Sequence, residues 1–239
     1  MSQFPYQTSQ PAWIDGRTAE SAERERSFFQ AVYGWMFVGL MLTMAASTLV
    51  VFSPMLQRLV VFNPIVWIVL SFAEIGLVFY ASARLQRLTP QTAAICFLAF
   101  SFLTGLTLSF ILFVYTATSI VSAFGAAAGT FAAMSIWART TSRDITGWGH
   151  FLMMGVVGLL ISMIINVFVG SWALNMTIGS IGVLIFTGLT AYKTQALRRF
   201  AYAGGAQGQT YAIYGALSLY ITFINLFLMF LRLFGGRRR

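Results

Sequence analysis

Seven long apolar runs follow one another along this 239-residue chain, and only two formally charged side chains, Glu74 and Lys193, fall inside them. Runs of about 20 apolar residues are the length that crosses a bilayer, and a soluble domain has no use for them in series. The backbone of such a run can satisfy its own polar groups in lipid only as a helix or in a closed barrel, and runs of this length are helical. The sequence therefore predicts an all-α integral membrane protein of seven transmembrane helices. A charge retained inside a span is costly, so each of the two is a functional candidate from the outset.

The spans are placed at about Ala31–Phe52, Asn63–Ser82, Gln91–Tyr115, Ser119–Trp137, Gly147–Val169, Leu174–Gln195 and Tyr211–Leu231. This gives a polar N-terminal tail over residues 1–29, read as mobile, a membrane domain over 30–236, and a basic tail over 237–239. The N-terminus has no cleavable leader, so the first span doubles as the insertion signal. Thr116–Thr118 forms a joint so short that the third and fourth spans must be antiparallel neighbours. Trp67, Trp137, Trp148 and Trp172 fall near span ends, where amphipathic rings meet the water interface. Asp144 or Thr146 is placed to cap the fifth helix. Gly125-Ala-Ala-Ala-Gly129 offers a small-residue face for close helix packing.

Hydrophobic residues make up 58% of the chain and charged ones 9%, and the net charge of +9 comes almost wholly from arginines outside the spans. That pattern reads as orientation and contact with anionic lipid rather than as a nucleic-acid surface. Nine arginines lie in the tail and in the loops after the second, fourth and sixth spans, against Arg58 alone on the other side before the last segment. The N-terminus is thus expected in the cytoplasm. Arg232 and Arg237–Arg239 oppose this if the last segment crosses fully, and its apolar length favours a full crossing over a re-entrant turn.

Thr104-Gly-Leu-Thr107 in the third span recurs as Thr187-Gly-Leu-Thr190 in the sixth. Three spans apart means opposite orientation, as in an inverted repeat, although four residues in so biased a composition also match by chance. Enzyme signatures are absent. There is no phosphate-binding Gly-rich loop, no His/acid pair placed for a nucleophile, and no aspartate inside a span. His150, the single histidine, has no second ligand at metal spacing, and Cys96 has no partner for a disulfide. The expectation is no enzyme, no cofactor and no resident metal.

Five segments carry a family resemblance: Val32-Tyr33-Gly34-Trp35-Met36, Ile75-Gly76-Leu77-Val78-Phe79, Gly105-Leu106-Thr107-Leu108-Ser109, the stretch Gly182–Tyr192, and Phe223-Ile224-Asn225-Leu226-Phe227. In order and spacing, from about Phe28 to Gly236, the chain resembles the bacterial branch of the Bax inhibitor-1 (transmembrane Bax inhibitor motif) family. The resemblance implies a seven-helix bundle with the last helix at its centre and a pH-sensitive calcium leak. In some bacterial members it also implies an interaction with a membrane-bound AAA protease, and it places the chain in the bacterial inner membrane.

The family pattern supplies two aspartates, in a Tyr-Asp-Thr-Gln stretch of the sixth helix and a Leu-Tyr-Leu-Asp-Phe-Ile-Asn stretch of the seventh. Here the first reads Tyr192-Lys193-Thr194-Gln195 and the second Leu219-Tyr220-Ile221-Thr222-Phe223-Ile224-Asn225. Both acids are replaced. Two close carboxylates share a proton and so titrate as a switch, and a hard divalent cation needs anionic oxygen ligands. Lysine and threonine do neither.

Three readings of Lys193 are open: an amine snorkelling to the cytoplasmic interface, a partner for Glu74, or a tethered cation that plugs the family's ion site. Glu74 reads either as a protonated structural residue or as the polar centre of an ion pathway. Arg84 is a candidate for the inner gate or an ordinary positive-inside anchor. Thr222 and Asn225 share one face of the seventh helix, lining the interior or bonding between helices. The function expected is a passive cation (calcium) leak with altered or lost pH gating; the alternative is a non-conducting regulator of a membrane AAA protease or similar partner.

Overall fold

A computed structural model describes residues 12–85, 87–201 and 205–236, with the backbone alone for 12–19. Seven helices are long and apolar enough to cross a membrane, and no strand occurs among the described residues. They are α1 (Ala12–Phe52), α2 (Pro64–Ala83), α3 (Pro90–Val114), α4 (Ala117–Thr140), α5 (Trp148–Val169), α6 (Trp172–Leu197) and α7 (Gly205–Phe234). The protein is therefore an all-α integral membrane protein.

Most helices start where a short polar side chain can take over the unpaired backbone amides of the first turn, which lipid cannot solvate. Asn63 Oδ1 accepts from the amides of Ile65 and Val66, with Pro64 fixing the first helical position. Thr89, Thr116 and Ser171 cap α3, α4 and α6 in the same manner. The fifth helix departs from expectation. Its cap position is Gly147, without a side-chain bond, and neither Asp144 nor Thr146 caps it. Asp144 instead accepts from the amide and hydroxyl of Thr146, closing a local turn one step earlier.

The polar segment read as a mobile tail is helical from Ala12 on, continuous with the first span; residues 1–11 and 237–239 lie outside the described part. Its helical state follows from Ala, Glu and Arg content and from anchoring at its inner end. Phe28 and Phe29 are buried, the Arg139 guanidinium lies 4.5 Å from the Phe29 ring centroid, and Arg198 Nε stands 3.1 Å from Glu25 Oε1.

Packing follows a repeated plan. In the first three helices α1 and α2 each pack on α3; in the next three α4 and α5 each pack on α6. The last helix, α7, packs on α1 and α3 of one group and on α4 and α6 of the other. Matching α1 with α4, α2 with α5 and α3 with α6 maps each of these contacts onto its counterpart, and it places the Thr104–Thr107 stretch opposite the Thr187–Thr190 stretch. The α2 and α5 helices face outward, with Phe72, Phe79, Met154 and Phe168 exposed to the lipid.

Close helix approach is achieved at glycines other than those expected. A Cβ on Gly105 would sit 2.6 Å from the Thr43 carbonyl oxygen and 2.6 Å from Ala46 Cβ, so α1 and α3 touch through bare backbone there. Gly182 of α6 likewise admits Met229 of α7. Gly125 and Gly129, read as a packing face, are exposed with nothing near a Cβ on either. The lipid-facing side of α4 simply carries small residues.

The final segment crosses fully. Near its start Thr210 Oγ1 donates to Leu88 O in the α2–α3 loop (3.3 Å). Near its end the Gly236 amide donates to Ser119 Oγ (3.0 Å), the Thr116 amide donates to Gly236 O (3.2 Å), and Arg232 Nη1 donates to Asn175 Oδ1 (2.9 Å). The two ends of α7 are thus tied to loops at opposite ends of the bundle.

Candidate functional site

The α7 helix presents polar side chains to both halves of the bundle. Tyr220 and Thr222 are two residues apart, which on an α-helix turns them to nearly opposite faces. Each face meets a different polar group.

On the α6 side, Lys193 and Thr222 meet. Lys193 Nζ donates to Thr222 Oγ1 at 2.9 Å and to Ser218 O at 3.3 Å. Thr222, almost fully buried, accepts from the ammonium and donates its own proton to Ser218 O at 2.9 Å. The two residues that the resemblance sets at the aspartate positions, Lys193 and Thr222, are therefore bonded directly to each other. Asn225 lies one turn further along and donates Nδ2 to Ile221 O of its own helix at 2.8 Å.

On the α1–α3 side, Glu74 of α2 accepts from Thr107 Oγ1 of α3 at 2.8 Å. Tyr220 OH lies 2.5 Å from Thr43 Oγ1. The Thr43 hydroxyl has a single proton and stands 2.9 Å from both Ser101 O and Gly39 O. Since that proton goes to a carbonyl, Tyr220 is the donor in the pair and Thr43 the acceptor. Thr104, one turn before Thr107, lies within reach of both Glu74 and Tyr220, and its buried hydroxyl makes no well-formed hydrogen bond.

Glu74 and Lys193 form no ion pair. Among the described residues the ion pairs are Arg24–Glu20 and Arg198–Glu25. The helix order explains the separation: α2 packs chiefly on α3, whereas Lys193 approaches α7 from α6. Arg84 stands apart from both groups. It is exposed at the end of α2, its amide donating to Tyr80 O at 3.1 Å and its guanidinium 5.7 Å from the Tyr80 ring centroid. His150 is exposed in the first turn of α5, and no cluster of three or more His, Cys, Asp or Glu occurs among the described residues.

Thr43, Thr104, Thr107 and Tyr220 were not candidates from sequence alone. The only signal was the echo of Thr104–Thr107 in Thr187–Thr190, and the two copies differ in use. Thr107 bonds to Glu74 across helices, whereas Thr190 Oγ1 donates to Phe186 O of its own helix at 2.8 Å.

Residues 25–239 match the family described as inhibitor of apoptosis-promoting Bax1. The chain is 42% identical over 217 residues to the inner membrane protein YbhL of Escherichia coli K12, covering 89% of this chain and 93% of that one. It is 39% identical over 220 residues to a protein of Deinococcus radiodurans (91% and 94% covered) and 37% identical over 211 residues to a membrane protein of Streptococcus pyogenes serotype M1 (87% and 92%). With the family match running over nearly the whole membrane domain, the chain belongs to the Bax inhibitor-1 family.

Proposed function

We propose that this protein is a passive cation pathway of the inner membrane, with calcium as a permeant, in which the family's acid-gated site is held by a built-in cation. The observation that carries this reading is the 2.9 Å bond from Lys193 Nζ to Thr222 Oγ1. An ammonium fixed at that position occupies the space a permeant ion would use and repels it. At an effective dielectric constant near 20, two unit charges about 4 Å apart repel by about 4 kcal/mol, so a divalent cation faces about 8 kcal/mol. With no carboxylate pair there is no shared proton to titrate. The leak through this site is accordingly weak and nearly independent of pH. Membership of the family and the similarity to an Escherichia coli inner membrane protein support the inner membrane, and the arginine bias supports a cytoplasmic N-terminus.

The test is calcium entry into liposomes that hold the purified protein, at acid and neutral pH, beside a Lys193→Asp/Thr222→Asp variant. The expected result is a slow, pH-insensitive wild-type leak and a faster, acid-sensitive leak in the variant. A steep acid response in the wild type would sink the reading.

A second reading, a regulator of a membrane-bound AAA protease, draws on one observation: α1 continues beyond the span as a charged helix, with Glu20, Glu23, Arg24 and Arg26 on it. Deleting residues 1–24, which spares Glu25, Phe28 and Phe29, would abolish co-purification of such a partner while leaving ion flux unchanged.

A further inference from the structure

We propose that the α1–α3 side of α7 holds a second ion site, formed by Glu74, Thr104, Thr107 and Tyr220, that binds a monovalent hard cation, sodium being the probe. The site does not rest on calcium leakage or on Lys193.

Four observations converge. Glu74 lies within a membrane-crossing helix, half-buried, and no cationic side chain pairs with it among the described residues. Its hydrogen bond from Thr107 (2.8 Å) would serve a neutral glutamine equally well, so the bond alone gives no reason for a carboxylate. A carboxylate in a span without a counter-charge calls for one. Next, the Thr104 hydroxyl is buried, with the residue 4% exposed, and makes no well-formed hydrogen bond although it lies within reach of Glu74 and Tyr220. An unmade hydrogen bond of this kind costs about 1–3 kcal/mol, and a bound cation would accept its lone pair. Third, Tyr220 donates its proton away, to Thr43, which leaves its oxygen able to accept. Finally, the donors are all oxygen, with no nitrogen or sulfur among them, which suits a hard cation.

Charge balance selects the valence. One carboxylate neutralises one positive charge, so a monovalent ion leaves the site neutral, whereas a divalent ion leaves an uncompensated charge inside the membrane. Calcium sites ordinarily bring more oxygen ligands, several of them anionic. The four residues come from α2, α3 and α7, so ion occupancy would tie the outer helix α2 to α7 through α3.

The experiment is equilibrium binding of radioactive sodium to the purified full chain in lipid nanodiscs. Choline replaces sodium to hold ionic strength constant, and the pH is kept well above the ordinary carboxylate range. Thermal unfolding is followed on the same samples. The expected result is one saturable sodium site per chain that choline does not fill and that raises the unfolding temperature. Glu74→Gln should abolish it. Thr104→Val and Tyr220→Phe, each removing one neutral oxygen ligand or its hydroxyl, should weaken it about threefold to tenfold. Lys193→Met should leave it unchanged. Should Glu74→Gln fail to fold, the near-isosteric Thr104→Val decides. The proposal is overturned if the wild type binds no more sodium than choline controls allow, or if Glu74→Gln or, failing that, Thr104→Val binds as the wild type does. It is equally overturned if stability responds to pH but not to sodium, which would make Glu74 a proton carrier. None of these results bears on the calcium leak of the Lys193→Asp/Thr222→Asp variant, so the two readings fail separately.

Discussion

Replacing Gly105 by alanine tests the contact that joins α1 to α3. The added Cβ would stand 2.6 Å from both the Thr43 carbonyl oxygen and Ala46 Cβ, and 3.0 Å from Thr43 Cα. Ordinary contact begins at 3.4 Å, so α1 must retreat by about 0.8 Å, and because the obstruction is backbone no rotamer relieves it. The same displacement strains Ser47 Oγ to Gly105 O (2.7 Å), Thr43 Oγ1 to Ser101 O (2.9 Å) and Thr43 to Tyr220. Overpacking costs about 1–3 kcal/mol, and weakening these three buried hydrogen bonds adds about 1 kcal/mol. Alanine's better helix propensity returns about 1 kcal/mol. The net loss is about 1–3 kcal/mol, which for a chain of this length lowers the unfolding midpoint by about 2–12 °C. Tryptophan fluorescence during heating, in nanodiscs, reads the midpoint from the chain's six tryptophans. The matched control is Gly129→Ala, where nothing lies within 4 Å and the midpoint should hold or rise slightly. If Gly105→Ala melts no lower than Gly129→Ala, the backbone contact between α1 and α3 is not as close as described.

Two further outcomes follow from the same structure. Reporter fusions at residue 239 and at residue 1 should report opposite sides of the membrane, because the ends of α7 are tied to loops at opposite ends of the bundle; reporters on one side would refute the full crossing. The hydroxyl and amide of Thr146 hold the Asp144 carboxyl below its ordinary value, so its contribution to stability is complete above about pH 4 and is lost as pH falls through that lower folded-state value. Asp144→Asn should flatten this part of a melting-temperature profile taken between about pH 2.5 and 5, and leave the midpoint at neutral pH close to wild type.

The number and order of the membrane helices were readable from the sequence because lipid imposes one rule on all of them: about 20 apolar residues, with the backbone bonded internally. Asn63-Pro64 and Thr89-Pro90 even mark where two helices start, through capping chemistry that is local. What was not legible depends on rotation of one helix against another. Whether Gly105 or Gly129 meets a neighbour is decided by which side of each helix faces inward, and both lie in equally apolar surroundings. In lipid the outward face is as hydrophobic as the inward one, so periodicity carries little information. The same ambiguity hid the functional grouping. Glu74 and Lys193 were visible as charges, but their separation onto different sides of α7 needed the helix order in space. Thr104 and Tyr220 were invisible because hydroxyls within spans are common and most bond to their own helix. Lys193 and Thr222 were visible as residues of the sixth and seventh spans, whereas the direct bond between them was not.

The α7 helix is made after the six helices that precede it. While α1–α3 and α4–α6 are being synthesised and released into the lipid, the segment against which four of those six helices pack is still within the ribosome or its exit path. Each group must therefore persist for a time with the faces that later receive Tyr220, Phe223 and Leu226 turned toward lipid or toward one another. A stop just before Gly205 leaves all earlier spans able to insert and yet deprives both groups of their common partner. Such a product would be correctly threaded through the membrane but unassembled, a substrate for membrane quality control rather than a shortened working protein.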